Sequence, residues 1–144
     1  MTPVPDRIRD FILSNHVLSL CTQDRDGLWA ASCFYAYDPG NTALVVLSSV
    51  ETRHGRAMAE SPKVAGTIAG QPRGIREIRG LQYGAEAELL SGERRATALK
   101  IYTTLHPLAK LAHAEVWGLR LEHLKYTDNR YIFGQKTYWT KDSD

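Results

Sequence analysis

Three strand-like segments follow one another near the start of this chain with no room for a helix between them. Val17 to Thr22 runs into the turn Asp24-Arg-Asp-Gly27, Leu28 to Tyr37 runs into Asp38-Pro-Gly-Asn41, and Thr42 to Leu47 completes the series. Asp-Gly and Pro-Gly are tight-turn dipeptides. A parallel pair would need a crossover of about a dozen residues or more, usually a helix. A parallel, doubly wound sheet is therefore ruled against at the outset. The hairpin also sets the cysteines apart: Cys21 should lie near Ala30 to Ser32, and Cys33 nearer Leu18 to Leu20. Two unbridged, small apolar fillers are expected.

The remaining elements continue this pattern. Pro5 to Ser14 reads as a short opening helix, with Ile8, Phe11 and Ile12 on one face. Thr42 to Leu47 is nearly all apolar, as in a strand buried on both faces. A helix is expected from Ser49 or Val50 to Ser61, where Pro62 disfavours helix at the residue before it. Lys63 to Ala69 is a strand and Gly70 to Gly74 a loop. Ile75 to Leu90 is a long strand region with Gly80 and Gly84 as candidate bulges. Ser91 is positioned to cap a second substantial helix. Pro107 to Ala112 adds a short helical piece. Val116 to Leu121, Leu124 to Thr127 and Tyr131 to Trp139 are the last strands. Many short antiparallel strands with few helices make a mainly β fold, an antiparallel barrel with peripheral helices. The 144 residues, 43% hydrophobic, suffice for one core, and no repeat or linker interrupts them, so residues 1–144 are expected to form one domain.

Charge narrows the partners. Lys and Arg number 18 and Asp and Glu 16, a net charge of +2, too balanced to argue for nucleic acid or an acidic membrane. No apolar run is long enough to span a bilayer as a helix. The opening Met1-Thr-Pro-Val-Pro-Asp-Arg lacks the basic start and apolar stretch of a signal peptide, so a cytoplasmic location is expected. The five histidines show no His-x-x-x-His spacing, and there is no Cys-x-x-Cys, Walker loop or nucleophile elbow. Arg73, Arg76 and Arg79 recur every third residue, as a solvated basic face does. Glu86 and Glu88 fall on one strand face, towards solvent. Trp117 lies in an alternating strand and is expected in the core.

The chemistry gathers at one corner. Between the third strand and the next helix stand Ser48, Ser49, Thr52, Arg53 and His54. Free N–H groups and a partial positive charge at a helix start suit an anion, and an arginine fork suits phosphate oxygens. The same residues also read as ordinary helix capping plus surface charge.

Segments spread along nearly the whole chain resemble the FMN-binding split β-barrel family of the pyridoxamine 5'-phosphate oxidase type, closest to its YhbP-like bacterial branch. They are Phe34-Tyr35-Ala-Tyr37, Leu47-Ser-Ser49, Glu51-Thr-Arg-His54, Val64-Ala-Gly-Thr67, Gly70-Gln-Pro72, Ile78-Arg-Gly-Leu-Gln-Tyr83, Val116-Trp117 and Tyr126-Thr-Asp-Asn129. The resemblance implies a split antiparallel barrel with peripheral helices and FMN bound at a homodimer interface. It implies that Ser48, Ser49, Thr52, Arg53 and His54 hold the phosphate, with His54 where a lysine is usual. It sets Phe34, Tyr35 and Arg79 beside the ring, and brings Asn129, Phe133 and Lys136 within range of the partner's flavin. The C-terminal basic motifs that grip pyridoxal phosphate in the true oxidases are missing. The expectation is thus an FMN-dependent oxidoreductase of unknown substrate. The alternatives are a non-enzymatic module for haem, a deazaflavin or another planar or phosphorylated ligand, or a module that binds a protein partner.

Overall fold

The computed structural model of the chain describes residues 2–111 and 113–142. Its described elements are helix α1 (Asp6–Leu13), strands β1 (Val17–Asp24), β2 (Gly27–Phe34), β3 (Ala36–Asp38) and β4 (Ala43–Leu47), helix α2 (Arg53–Glu60), strands β5 (Lys63–Ala69) and β6 (Arg79–Leu89), helix α3 (Gly92–Leu105), and strands β7 (Val116–Asp128) and β8 (Gln135–Thr140). The strands form one antiparallel sheet in the order β2-β1-β5-β6-β7-β4-β3, with β8 paired to β7. The two ends of that seven-strand path, β2 and β3, are neighbours in sequence with Tyr35 alone between them. The sheet must therefore curl until its edges nearly meet, which makes it a split barrel.

The sequence reads Leu28 to Tyr37 as one strand because its aromatic alternation runs straight through. The chain instead leaves the β1 edge after Phe34 and crosses to β4. Tyr35 makes the crossing and is held at three points. Its N–H donates to the His16 carbonyl at 3.0 Å, its carbonyl lies 2.8 Å from His106 Nε2, and its hydroxyl donates to the Ile12 carbonyl at 2.5 Å. At 1% exposure its ring belongs to the core.

That core fills the curl. Ile8, Phe11 and Ile12 of α1 plug one end, against Leu18, Leu20, Ile68, Leu81, Leu119, Tyr126 and Trp139. A second cluster lies outside the barrel, where Ala98 and Tyr102 of α3 cover Val45, Leu90 and Val116. This is why β4 is buried on both faces, as its composition predicts. The expected register of the first hairpin is present, Cys21 opposite Ala30 and Leu18 opposite Cys33, and both thiols are free. Trp117 is in the core at 1% exposure.

Several boundaries shift. Ile75–Glu77 is a 3-10 turn, so the long strand starts only at Arg79. Pro107–Leu111 is also 3-10, and Ala112 of that expected piece lies outside the described residues. Ser91 precedes α3 without a side-chain cap bond. The two strands expected between Val116 and Thr127 are one, β7, interrupted by a bulge: Gly84 pairs with His123 and Ala85 with Leu121, so Glu122 is an extra residue. The last strand begins at Gln135, after the loop that carries Tyr131 to Phe133.

The crossing predicts a stability effect. Tyr35→Phe removes the shorter of the two hydrogen bonds to the Ile12 carbonyl, leaving it Asn15 N–H at 3.4 Å, and should cost about 0.5–1.5 kcal/mol. Urea unfolding should show a lower midpoint at unchanged m-value. A loss under about 0.5 kcal/mol would mean that the crossing does not depend on this bond.

Candidate functional site

The corner after β4 is tied to the barrel by its backbone. Ser48 N–H donates to the Glu115 carbonyl at 3.0 Å, Trp117 Nε1 donates to the Ser48 carbonyl at 3.1 Å, and Val50 N–H donates to Glu115 Oε2 at 3.1 Å. The chain then makes a tight turn, in which Thr52 N–H and Oγ1 both donate to the Ser49 carbonyl, at 3.2 and 2.7 Å. Helix α2 starts only at Arg53, because Thr52 is its cap and Thr52 Oγ1 accepts from Gly55 N–H at 3.1 Å. Gly55 is required there: a Cβ would stand 2.1 Å from the Ser49 carbonyl oxygen. Ser49 Oγ accepts from Glu51 N–H at 3.1 Å. The hydroxyls of Ser49 and Thr52 thus shape the turn and cap the helix in the first instance.

Ser48 and His54 form a pair one turn deeper. Ser48 is 5% exposed, and its Oγ shares a hydrogen bond of 2.6 Å with His54 Nε2. Burial lowers the His54 pKa from its ordinary 6.5. At neutral pH the ring is therefore held uncharged, and it does not replace the charge of the lysine usual at this place in the resembled family.

Charge at the corner comes from arginines. Arg53 projects from the first turn of α2 to the end of β1. There its Nε donates to Asp24 Oδ2 at 3.0 Å and its Nη2 to Oδ1 at 3.3 Å. Its guanidinium carbon lies 4.4 Å above the centroid of the Trp29 ring, and Trp29 is 47% exposed. The Arg53 hydrogen bonds, helped by Asp26 N–H, hold the Asp24 carboxyl below the usual range. A cleft of about 410 Å³ opens here, lined by Arg25, Arg53 and Arg56 and by Asp24, Asp26 and Glu60. Three cations face three carboxylates, so the cleft is close to neutral. Arg56 also donates to the Glu51 carbonyl. The sequence reading missed Asp24, Arg25 and Arg56. Only the hairpin tip brings Asp24 and Arg25 to α2, a contact across 29 positions that local pattern does not carry.

The other expected site residues lie elsewhere. Arg79 opens β6 at the level of the far end of β5, while Asp24 and Arg53 sit past the opposite end of β5. Counting strand residues between the two levels gives roughly 25 Å. Arg79 is engaged there, with Nε donating to Tyr126 Oη at 3.2 Å and its guanidinium 5.0 Å from the Phe11 ring centroid. Phe34 pairs with Val17 at the same far end, 58% exposed, its ring 5.4 Å from that of His106. Asn129 joins the loops at this end: its Nδ2 donates to the Ile75 carbonyl at 3.1 Å and its Oδ1 accepts from Gly134 N–H at 2.9 Å. Beyond it Phe133 is 71% exposed, and Lys136 pairs with Thr127. Tyr35 faces the core and offers no ring surface to a ligand. The single chain therefore brings Ser48, Ser49, Thr52, Arg53 and His54 together at one end, and Phe34, Arg79, Asn129, Phe133 and Lys136 at the other.

The His54 pair predicts a pH effect on stability. A buried neutral histidine contributes stability that is fully present above its unfolded pKa near 6.5 and lost as the pH falls towards its lowered folded value. Melting temperature should fall between about pH 7 and 5 with a shallower slope in His54→Gln than in the wild type. Parallel slopes would show that His54 is not held neutral by the fold.

No family model matches the chain. Among the solved structures it is similar to, the heme-binding protein of Mycobacterium smegmatis superposes with a TM-score of 0.78 at 22% identity, over 96% of this chain and 60% of that one. An FAD-binding protein of Mesorhizobium loti gives 0.66 at 14% identity, over 84% and 92%. The heme storage protein HutZ of Vibrio cholerae gives 0.61 at 15%, over 96% and 95%. At these identities the likeness is one of fold. Among the described residues no helix is long and apolar enough to cross a membrane. Sequence relatives are nearer. A UPF0306 protein of Serratia proteamaculans is 42% identical over 140 residues, 97% of each chain. Another from Haemophilus ducreyi is 38% identical over 146 residues, the full length of both. With identity of this order from end to end, the chain belongs to the UPF0306 family.

Proposed function

We propose that this protein binds FMN with the phosphate at the Arg53 corner, in a homodimer, and serves an oxidoreductase reaction whose substrate is unknown. The observation that carries this reading is the gathering of Arg25, Arg53 and Arg56 at the first turn of α2 beside the exposed ring of Trp29. A helix start supplies N–H donors, guanidinium forks supply paired donors, and an aromatic face supplies a stacking surface. Bound flavin would supply hydride or electron transfer, while the chain fixes its phosphate and ring. In this reading Asp24 holds the Arg53 fork in place until a phosphate competes for it. The neutral His54 keeps the Ser48 hydroxyl oriented at the edge of the corner.

Two features favour a dimer. Strand β2 is an edge strand without a charge or a proline, from Gly27 to Phe34, and Leu28, Trp29 and Phe34 are 69, 47 and 58% exposed. Such an edge invites a partner. The two groups of expected ligands also stand about 25 Å apart within one chain. A two-fold pairing would set the far end of one copy, with Phe34, Arg79, Asn129, Phe133 and Lys136, beside the corner of the other.

A haem-binding module is the second reading. It is favoured by the fold likeness to proteins described as heme-binding and heme storage proteins.

Titration with FMN and riboflavin, followed by flavin fluorescence, tests the first reading. FMN should bind much more tightly than riboflavin. Arg53→Ala should cost roughly tenfold to a hundredfold in FMN affinity, the scale of a charge-assisted hydrogen bond. Asp24→Asn should strengthen FMN binding at low salt, because the carboxylate competing for Arg53 is gone. Equal, weak binding of FMN and riboflavin would reduce the corner to a helix cap and overturn the reading.

A further inference from the structure

Helix α3 covers β4 with Ala98 and Tyr102, and its adjoining flank lines a groove of about 500 Å³ outside the barrel. Arg95, Leu99 and Thr103 form one row of the helix at i, i+4 and i+8, and Ala96, Lys100 and Thr104 form the next. The groove follows α3 from Arg95 to Thr104, a rise of roughly 13 Å. Ala109 and Lys110 of the 3-10 turn Pro107–Leu111 also line it. Leu47, Leu99 and Ala109 rest on the second core cluster and give the groove an apolar floor.

The charge of the groove is one-sided. Arg95, Lys100 and Lys110 line it, and no carboxylate does. Three positive charges exceed the +2 of the whole chain, whereas the cleft at Arg53 is offset by three carboxylates. None of the three side chains has a hydrogen bond or ion pair among the described residues, and Arg95 is half-buried. Arg94, its neighbour in sequence, is by contrast forked on the Glu88 carboxylate at 2.5 and 2.9 Å. The threonine hydroxyls are spent on the helix: Thr103 Oγ1 donates to the Leu99 carbonyl at 2.8 Å and Thr104 Oγ1 to the Lys100 carbonyl at 2.7 Å. The side-chain donors left for a ligand are the three cations.

A half-buried guanidinium without an anion has given up water and gained no partner, and a carboxylate in its fork makes good that loss. A small hydrated anion would leave the apolar floor wet, and an uncharged apolar ligand would leave the cations unmatched. An apolar chain ending in an anion satisfies both, and the volume is that of a small-molecule site, about 300–1,000 Å³. We propose that the groove beside α3 binds a single-chain anionic amphiphile, an alkyl carboxylate, with its head in the Arg95 fork and its chain along Leu99, Leu47 and Ala109. Lys100 and Lys110 raise the local potential that draws the anion in. The groove shares no lining residue with the Arg53 cleft, so the two sites can be tested apart.

The full-length protein titrated with decanoate by calorimetry at two temperatures should bind one decanoate per chain. Acetate, the head without the chain, should not bind at the same concentrations. The uncharged 1-decanol should bind at least tenfold more weakly than decanoate. Arg95→Gln should weaken decanoate binding at least tenfold. Ala96→Glu, which sets a carboxylate at the groove, should abolish it. Lys100→Gln should weaken it severalfold and flatten its salt dependence. Arg73→Gln, which removes an arginine outside the groove, should bind as the wild type does. Ala96, Lys100 and Arg73 are exposed, so these variants should keep the far-UV circular dichroism of the wild type. No saturable binding by the wild type, or 1-decanol binding as tightly as decanoate, would overturn the proposal. Full affinity in Arg95→Gln or in Ala96→Glu would do the same. A wild-type dimer that Ala96→Glu dissociates, with no decanoate bound, would assign the groove to a second copy of the chain instead.

Discussion

Everything in this fold depends on a single residue joining the two free edges of a sheet. Strands β2 and β3 end the main path of the sheet, and Tyr35 is all that separates them in sequence. A flat sheet cannot satisfy that connection, so the sheet curls and the space inside must be filled. Helix α1 fills one end, and the same helix offers the Ile12 carbonyl that the Tyr35 hydroxyl needs. The N–H and carbonyl of Tyr35 are taken by His16 and His106, from elements far apart in the chain. Closure, core and crossing are thus one arrangement, and β2 remains an uncovered edge as a result of it.

The curl also decides where polar chemistry can collect. At one end the hairpin tip between β1 and β2 meets the start of α2, which brings Asp24 and Arg25 to Arg53 and Arg56. At the other end α1, the 3-10 turn and the β7–β8 loop surround Arg79 and Asn129. Neutrality at the first end has a physical reading: an arginine already paired with a carboxylate is held in a fixed direction, at the expense of attraction for an incoming anion. The account of FMN binding therefore relies on exchange of one carboxylate for a phosphate, not on an open basic pocket.

Much of this was legible in the sequence, for reasons that can be named. Alternating apolar residues and Asp-Gly or Pro-Gly turns located β1, β4 and β5 and the register of the cysteines, because these are local signals. The three-residue spacing between Leu121 and Leu124 marked an interruption, which proved to be one inserted residue and not a break between strands. The crossing at Tyr35 was hidden, since Phe34-Tyr35-Ala-Tyr37 alternates whether or not the chain changes partner. Ser49 and Thr52 are both capping residues, so local pattern sets the start of α2 too early, and only the close approach of Gly55 to the Ser49 carbonyl distinguishes them. The pairing of Arg53 with Asp24 and Trp29 belongs to tertiary structure alone. So does the separation of Arg79 and Phe34 from the corner, which local pattern gave no reason to expect.

In the proposed dimer, the corner of one chain and the far end of another together hold one flavin. Native mass spectrometry of the protein as purified tests it most directly. The account predicts a dimer whose excess mass corresponds to two FMN molecules, released together with dissociation into protomers. A monomer without bound mass, which neither dimerises nor gains mass when FMN is added, would contradict it.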